Sequence, residues 1–294
     1  MTLLFSVFEQ GMIYAIMALG IYITYKILDF PDLTVDGSFP MGAAITALFI
    51  SKDLNPLLTL PISFAAGAVS GILTGVIHVK LKVRDLLSGI IMMTALYTVN
   101  LRIAGRANLP IYNKTTIFDN SVINGLFPEA LKPYKTVVVI FIIVMLCKYL
   151  LDWYLHTKSG MLLRTVGDND AIITSLGVDK GVVKIIGLAI ANGLVSLGGC
   201  VFAQQQRYFD VSMGTGTMVI GLASVIIGTS IFKHITFLRV TSSVVIGSIL
   251  YKGCVALAIR AGFPSTDLKA ITAVLFLVIL ILGNREKRKV KIHA

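Results

Sequence analysis

The sequence predicts an all-α membrane protein that crosses the bilayer many times. Hydrophobic residues occupy 56% of its 294 positions, and the mean hydropathy is +0.85. Only 14% of the residues are charged, whereas about a quarter are charged in ordinary soluble domains. A soluble fold of this length could not bury so much apolar surface. The composition therefore favours a polytopic transmembrane protein.

Apolar stretches of suitable length recur along the whole chain. One crossing needs about 20 apolar residues, and the pattern predicts about nine crossings, with about eight to ten allowed because helix ends are the least precise part of such a prediction. No Lys or Arg precedes Lys26, so we expect the first stretch to be a retained span and not a cleaved signal peptide. The predicted spans are 3–25, 33–50, 56–79, 86–104, 135–156, 182–205, 213–232, 240–259 and 268–282.

Basic residues predict the orientation of these spans. The net charge of +11 lies largely in short segments between apolar runs and in the C-terminal tail. This is the distribution of the positive-inside rule, so membrane orientation accounts for the basicity without nucleic acid as a partner. We expect a cytoplasmic C-terminus and an external N-terminus. The residues expected on the cytoplasmic side include Lys26, Lys80, Lys82, Arg84, Lys233 and Arg239.

Polar residues interrupt two of the apolar regions and predict broken helices. Asp36 and Ser38 open the second stretch, and the polar run 204–210 separates two later stretches before Met213 resumes the apolar pattern. Such breaks survive in a membrane only when they are buried in protein or line a cavity. On the predicted topology the two broken regions run in opposite directions, which predicts an inverted repeat. Chance likeness between glycine-rich membrane helices is the open alternative.

The polar segment 156–184 is the longest polar interruption in the second half of the chain. Asp168 and Asn169 are suitable N-cap residues for a short helix over 171–176, and Gly177 suits the left-handed turn that ends such a helix. We expect this helix to lie at the membrane surface and to offer an apolar stripe to a partner. The stripe consists of Ile172, Ile173 and Leu176.

This segment resembles the coupling segment of an ATP-binding-cassette (ABC) importer permease. The family that it resembles carries branched-chain amino acids and ribose-type sugars, and segments 33–47 and 221–232 are similar to a sub-branch of uncharacterised permeases linked to aromatic amino acids. The positions that carry the resemblance in the coupling segment are Gly160, Arg164, Gly167, Asn169, Ala171 and Gly177.

The resemblance implies a domain organisation and a set of partners. One permease domain, 1–294, would comprise a first half 1–134, a cytoplasmic coupling segment 157–181, a second half 182–283 and a basic tail 284–294. Two such chains, or one chain and a close paralogue, would bind two ABC ATPase subunits and an extracytoplasmic substrate-binding lipoprotein in a bacterial plasma (inner) membrane. The ATPase would drive uptake, Arg164 would anchor the coupling segment, and Asp168 or Asn169 would cap its helix.

Chemistry on this chain itself is not expected. The sequence has no GxxxxGK[ST] phosphate loop and no HExxH motif, and its cysteines (Cys147, Cys200 and Cys254) form no CxxC pair. We therefore predict no catalytic residues, no metal site and no cofactor. ATPase activity is expected on a partner chain.

Polar residues inside the spans are candidates for a translocation path for a small polar solute, such as an amino acid and in particular an aromatic one. Interhelical hydrogen bonding explains each of them equally well. An ion-coupled secondary transporter of amino acids is the main alternative, and a channel is the third. A carrier needs a deep carboxylate, for which Asp36 is the candidate, although Asp29, Asp32 and Asp36 are rather expected to cap the second helix and pair with Lys26. The path candidates are Asp36, Ser38, Thr94, Tyr97, Asn100, Asn192, Ser196, Gln204 and Met213.

Overall fold

The computed structural model describes residues 2–120, 125, 134–168, 177–233, 235, 237–262, 270, 272–274, 276–278 and 281. Within them the chain forms nine α-helices and two short strands, β1 (Asn108–Pro110) and β2 (Tyr208–Asp210). The helices are α1 (Thr2–Ile21), which continues as a π-helix over Tyr22–Ile27, α2 (Val35–Ser51), α3 (Thr59–Val79), α4 (Asp85–Ala104), α5 (Lys135–Leu155), α6 (Lys158–Asp168), α7 (Lys180–Gln206), α8 (Thr217–Ile231) and α9 (Val240–Arg260).

The all-α membrane class is confirmed, but nine crossings are not. Six described helices (α1 with its π-helical end, α3, α4, α5, α7 and α9) are long and apolar enough to span a bilayer. The predicted spans 33–50 and 213–232 form α2 and α8, which are apolar but shorter. Most of the ninth predicted span, 268–282, lies outside the described residues, and the positions described there are helical.

Helices α1 and α7 form the centre of the bundle. In their most apolar stretches, 78% of α1 and 83% of α7 is buried by the protein itself. Helix α3 packs along α7 through glycines, and a Cβ added at Gly71 would lie 2.1 Å from the carbonyl oxygen of Leu188. Such small residues allow the close backbone contact that holds membrane helices together. The remaining spans are more exposed and surround this centre.

Irregular passages precede both α2 and α8, although Asp36 and Ser38, which were expected in the first break, lie within α2. The chain leaves the π-helical end of α1, passes Asp29 with a φ of 51°, and begins α2 only at Val35. After β2 it makes a second irregular passage and enters α8 through Gly216, whose φ of 84° favours glycine. The two passages touch, since a Cβ at Gly214 would lie 2.0 Å from the carbonyl oxygen of Asp36.

An ordered cap covers the end of the bundle opposite α6. Strands β1 and β2 pair antiparallel, with Leu109 opposite Phe209. The carboxylate of Asp119 forms ion pairs with Lys135 and Arg207, which tie this loop to α5 and to the end of α7. The sequence analysis did not predict these strands, because three residues in each of two distant segments leave no periodic pattern.

The ion pairs of Asp119 predict that the cap weakens in acid. The hydrogen bond from Lys135 lowers the pKa of Asp119 more than its partial burial raises it, and Arg207 lowers it further. A carboxyl group whose pKa is lower in the folded state than in the unfolded state, where it is about 4, stabilises the fold at a pH above its unfolded-state pKa. This stabilisation is lost as the pH falls through the folded-state pKa. We expect hydrogen-exchange protection of residues 111–119 to fall over that range. Asp119→Asn should remove this pH dependence, and an unchanged pH profile in the variant would contradict the assignment.

Candidate functional site

Helix α6 forms most of the described part of the coupling segment, and it lies against the ends of α1 and α5. Thr157 begins it by accepting a hydrogen bond from the Gly160 amide through its side-chain oxygen, at 3.3 Å. Leu163 and Val166 are buried against the bundle, while Met161 is exposed. Helix α6 is therefore amphipathic, with its apolar face attached to its own chain.

Two of the predicted coupling residues are glycines that allow backbone contact. A Cβ added at Gly160 would lie 2.3 Å from the carbonyl oxygen of Tyr154, and one at Gly167 would lie 1.6 Å from that of Ile27. Both distances are far below van der Waals contact, so any side chain would displace α6 from the end of α1 or α5. The two glycines position the helix, a role that spacing alone did not indicate.

The other predicted coupling residues are only partly described. Arg164 is exposed on α6 and lines a cavity with residues from α1, α5 and α9. Gly177 has a φ of 70°, the left-handed conformation expected for it. Asp168 is the last residue of α6. The remaining predicted residues lie outside the described part of the chain: Asn169, Ala171, Ile172, Ile173 and Leu176.

A buried polar network joins α2, α3 and α7 at the centre of the bundle. Ser38 donates to the Asn192 side-chain oxygen at 2.8 Å and lies 2.8 Å from the Ser70 hydroxyl. The Asn192 amide donates to Asp32 at 2.7 Å. Asp32 also accepts a hydrogen bond from the Thr34 amide at 2.9 Å, directly before α2, which agrees with the expected cap of the second helix. Its side chain is nevertheless buried, with 1% exposure.

Three further path candidates also bond to neighbouring segments. Ser196 donates to the carbonyl oxygen of Ser63 at 2.7 Å, and Asn100 donates to that of Gly37 at 2.9 Å. Gln204 joins Thr59 to the backbone amide of Ile117. The structure thus brings Ser38, Asn192 and Ser196 together around α7. It places the others apart: Thr94 bonds within its own helix, Tyr97 is half-exposed on α4, and Met213 packs beside the core.

Asp36 caps α8, whereas the sequence predicted that it caps α2. Its carboxylate accepts hydrogen bonds from the Gly216 amide at 2.9 Å, the Thr217 hydroxyl at 2.9 Å and the Met218 amide at 2.8 Å. These groups form the first turn of α8, where free amides and the helix dipole favour a negative charge. For Asp36 the expected cap of the second helix is wrong, because its donors come from residues 180 to 182 positions later.

The sequence analysis missed a lysine in the middle of α9. The Lys252 ammonium lies 3.7 Å from the centre of the Tyr14 ring, and Tyr14 contacts Phe39 and Phe202. In the part of the chain that the structure describes, no carboxylate forms an ion pair with Lys252. An ionisable residue within a membrane helix is costly and commonly marks a transport path. Its position at the centre of an apolar run was the signal available in the sequence.

Comparison with known proteins decides the class of this bundle. Residues 3–283 match the family described as "Branched-chain amino acid transport system / permease component". The chain belongs to this family. Membership identifies the protein as a multi-pass permease of the ABC importer type.

Individual permeases are similar over most of the chain. The Tyrosine transport system permease protein of Clostridioides difficile (strain R20291) is 42% identical over 95% of this chain and 90% of its own length. Ribose import permease protein RbsC of Escherichia coli (strain K12) is 26% identical over 76% of this chain and 68% of its own. A probable branched-chain amino acid transport permease protein, LivH, of Methanocaldococcus jannaschii is 23% identical over 73% and 70% respectively. No solved structure is a significant match.

Proposed function

We propose that this permease is the membrane subunit of a binding-protein-dependent importer that moves an amino acid, with ATP hydrolysis on a separate subunit. The observation that carries the proposal is the 42% identity, over 95% of the chain, to a permease named for tyrosine transport. The more distant relatives named for ribose and branched-chain amino acids support the importer class and leave a wider range of small polar solutes. An aromatic amino acid is the substrate that we favour.

The packing of the bundle supports an inverted repeat of α1–α2–α3 and α7–α8–α9. Helix α3 of the first triplet packs on α7, and α9 of the second packs on α1, where Ser248 donates to the carbonyl oxygen of Gly11 at 2.8 Å. The short helices α2 and α8 each follow a break, and Asp36 links their starts. Such repeats place the transport path at their interface and permit alternating access.

The coupling segment is the proposed contact with the ATPase subunit. Two permease chains, or one with a close paralogue, would each present residues 169–177 to an ABC ATPase subunit on the cytoplasmic side of a bacterial plasma membrane. The apolar stripe would enter a groove of the ATPase, a helix-in-groove contact. A substrate-binding lipoprotein would deliver the solute to the opposite face. The seating of α6 through Gly160 and Gly167 supports this role, since a rigidly attached helix transmits movement to the bundle.

Charge substitution in the stripe tests this contact. We expect Leu176→Asp to abolish co-purification of the ATPase, because a buried unpaired charge at an interface costs several kcal/mol, about 3 or more. Thermal unfolding of the permease should be unchanged. Tyr112→Asp, an exposed ring replaced at the opposite end, is the matched control. Undiminished ATPase binding by Leu176→Asp would contradict the docking site.

Asp32 is the observation that favours the alternative, an ion-coupled carrier. It is a buried carboxylate without an ion pair among the described residues, and carriers use such groups to bind protons or sodium. Transport in reconstituted vesicles separates the two functions. Uptake by the importer requires ATP and the binding protein and does not depend on a proton or sodium gradient. Uptake that is driven by such a gradient and is abolished by Asp32→Asn would support the carrier.

Substitution of Lys252 tests whether this residue lines the translocation path. We expect Lys252→Met to lower the initial rate of amino acid uptake about tenfold, because it removes a charged contact for the substrate carboxylate, and such contacts contribute on the order of 1.5–3 kcal/mol. ATPase co-purification should be retained. Lys80→Met, an exposed charge at the α6 end, is the control. Normal uptake by Lys252→Met would exclude this residue from the path.

A further inference from the structure

A basic cavity lies at the α6 end of the bundle. It has a volume of about 410 Å³ and is formed where α1, α5 and α9 meet α6. This size lies within the range of small-molecule sites, roughly 300–1,000 Å³. Its walls carry Lys26, His156, Arg164 and Arg239, together with the acidic Asp152. Each of the four contributing helices supplies at least one of these side chains.

The single acid on these walls is already neutralised. Asp152 lies 3.2 Å from Lys148 and 3.2 Å from Arg239, and it accepts a hydrogen bond from Thr241 at 2.6 Å. Within the described ranges, neither Lys26 nor Arg164 forms an ion pair. Among the described residues the cavity therefore has an excess of positive charge, with two cations that no described carboxylate pairs with. Its electrostatic complement is an anion.

The cavity lies at the level where three of the spans end. The span of α1 ends at Ile27, that of α5 at Leu155, and that of α9 begins at Val240, and all three residues line the cavity. The cavity thus lies where the apolar parts of three helices end, which is the level of the lipid headgroups. Basic pockets between membrane helices at this level bind anionic headgroups.

We propose that this cavity binds the phosphate group of an anionic phospholipid, with Lys26 and Arg164 as its cationic contacts. The planar guanidinium of Arg164 suits bidentate contact with phosphate oxygens. Because Lys26 belongs to the end of α1 and Arg164 to α6, one headgroup would bridge the bundle and the helix of the proposed coupling segment. Anionic lipid would thereby stabilise the attachment of α6.

Lipid retention by the purified permease tests this site. Native mass spectrometry would compare bound phosphatidylglycerol and phosphatidylcholine on the wild type and on the double variant Lys26→Gln/Arg164→Gln. We expect the wild type to retain phosphatidylglycerol preferentially. The double variant should retain about tenfold less of it, because it lacks both cations that attract the anionic headgroup. Lys80→Gln/Lys82→Gln removes the same charge outside the cavity and should retain the lipid.

A second measurement distinguishes a lipid from free phosphate. Thermal unfolding in neutral detergent would be followed with phosphatidylglycerol or with an excess of inorganic phosphate. A rise in Tm with the lipid alone, absent in the double variant, supports the headgroup site. A rise with inorganic phosphate alone would overturn the lipid assignment. Equal retention and equal stabilisation in wild type and double variant would overturn the site itself.

Discussion

Gly42→Ala is expected to prevent the permease from folding stably. A Cβ at this position would lie 1.8 Å from the carbonyl oxygen of Ser196, at the contact between α2 and α7. The obstruction is backbone, so no side-chain rotation can relieve it, and the two helices must separate. Overpacking of this kind costs about 3 kcal/mol or more, a large part of a total stability of roughly 5–15 kcal/mol.

The measurement is the yield of monodisperse protein in detergent, together with its Tm. Gly253→Ala is the matched control, because it makes the same change in α9 where an added Cβ meets nothing within 4 Å. Alanine is also the better helix former, so Gly253→Ala should leave stability unchanged or raise it slightly. Equal Tm values for the two variants would contradict the close contact between α2 and α7.

Asp36→Ala is expected to have the second-largest effect, through the loss of the cap of α8. The substitution leaves two backbone donors at the start of that helix without their acceptor, the Gly216 amide and the Met218 amide. The Thr217 hydroxyl keeps the carbonyl oxygen of Gly214 as its acceptor, at 2.9 Å. Loss of an N-cap commonly costs about 1–2 kcal/mol, and each buried unsatisfied donor adds about 1 kcal/mol or more. We expect destabilisation of about 3 kcal/mol, with hydrogen exchange accelerated first in residues 217–231.

Asp179→Ala is the matched control for this variant. Asp179 caps α7 by accepting one hydrogen bond, from the Gly181 amide at 2.7 Å, and its side chain is exposed. Water can replace that single bond, so the loss should be about 1 kcal/mol or less. If Asp36→Ala were no more destabilising than Asp179→Ala, the link between α2 and α8 would not contribute as the hydrogen bonds indicate.

Local patterns predicted most of the helices. Eight predicted spans correspond to helices in the structure, often within a few residues of their ends; 86–104, for example, is observed as Asp85–Ala104. Hydropathy predicts these helices because a membrane helix forms its backbone hydrogen bonds within its own segment. The sequence of that segment is therefore enough to indicate the helix. The breaks before α2 and α8 were also predicted, since polar residues in an apolar run are locally visible.

Contacts between distant segments were not predictable in the same way. Asp36 was assigned to its own helix because a cap is normally sought within a few residues, whereas its donors lie in α8. Asp32 bonds to the Thr34 amide at the start of α2, but its burial against Asn192 was not predictable from its own segment. Lys252 interrupts an apolar run, but the run does not show that its ammonium lies over the Tyr14 ring. Each of these roles depends on which helix lies opposite.

By itself, the sequence determined that this protein is a multi-pass membrane protein with two polar breaks and a polar segment over 156–184, and its motifs indicated the permease family, because hydropathy and short motifs are properties of single segments. Only the tertiary structure decided which polar groups meet: Asp36 with the start of α8, Asp32 with Asn192, and Lys26 with Arg164 across one cavity. The physical reason is that burial, hydrogen bonding and charge balance are set by neighbours in space, which helix packing brings together from remote parts of the chain.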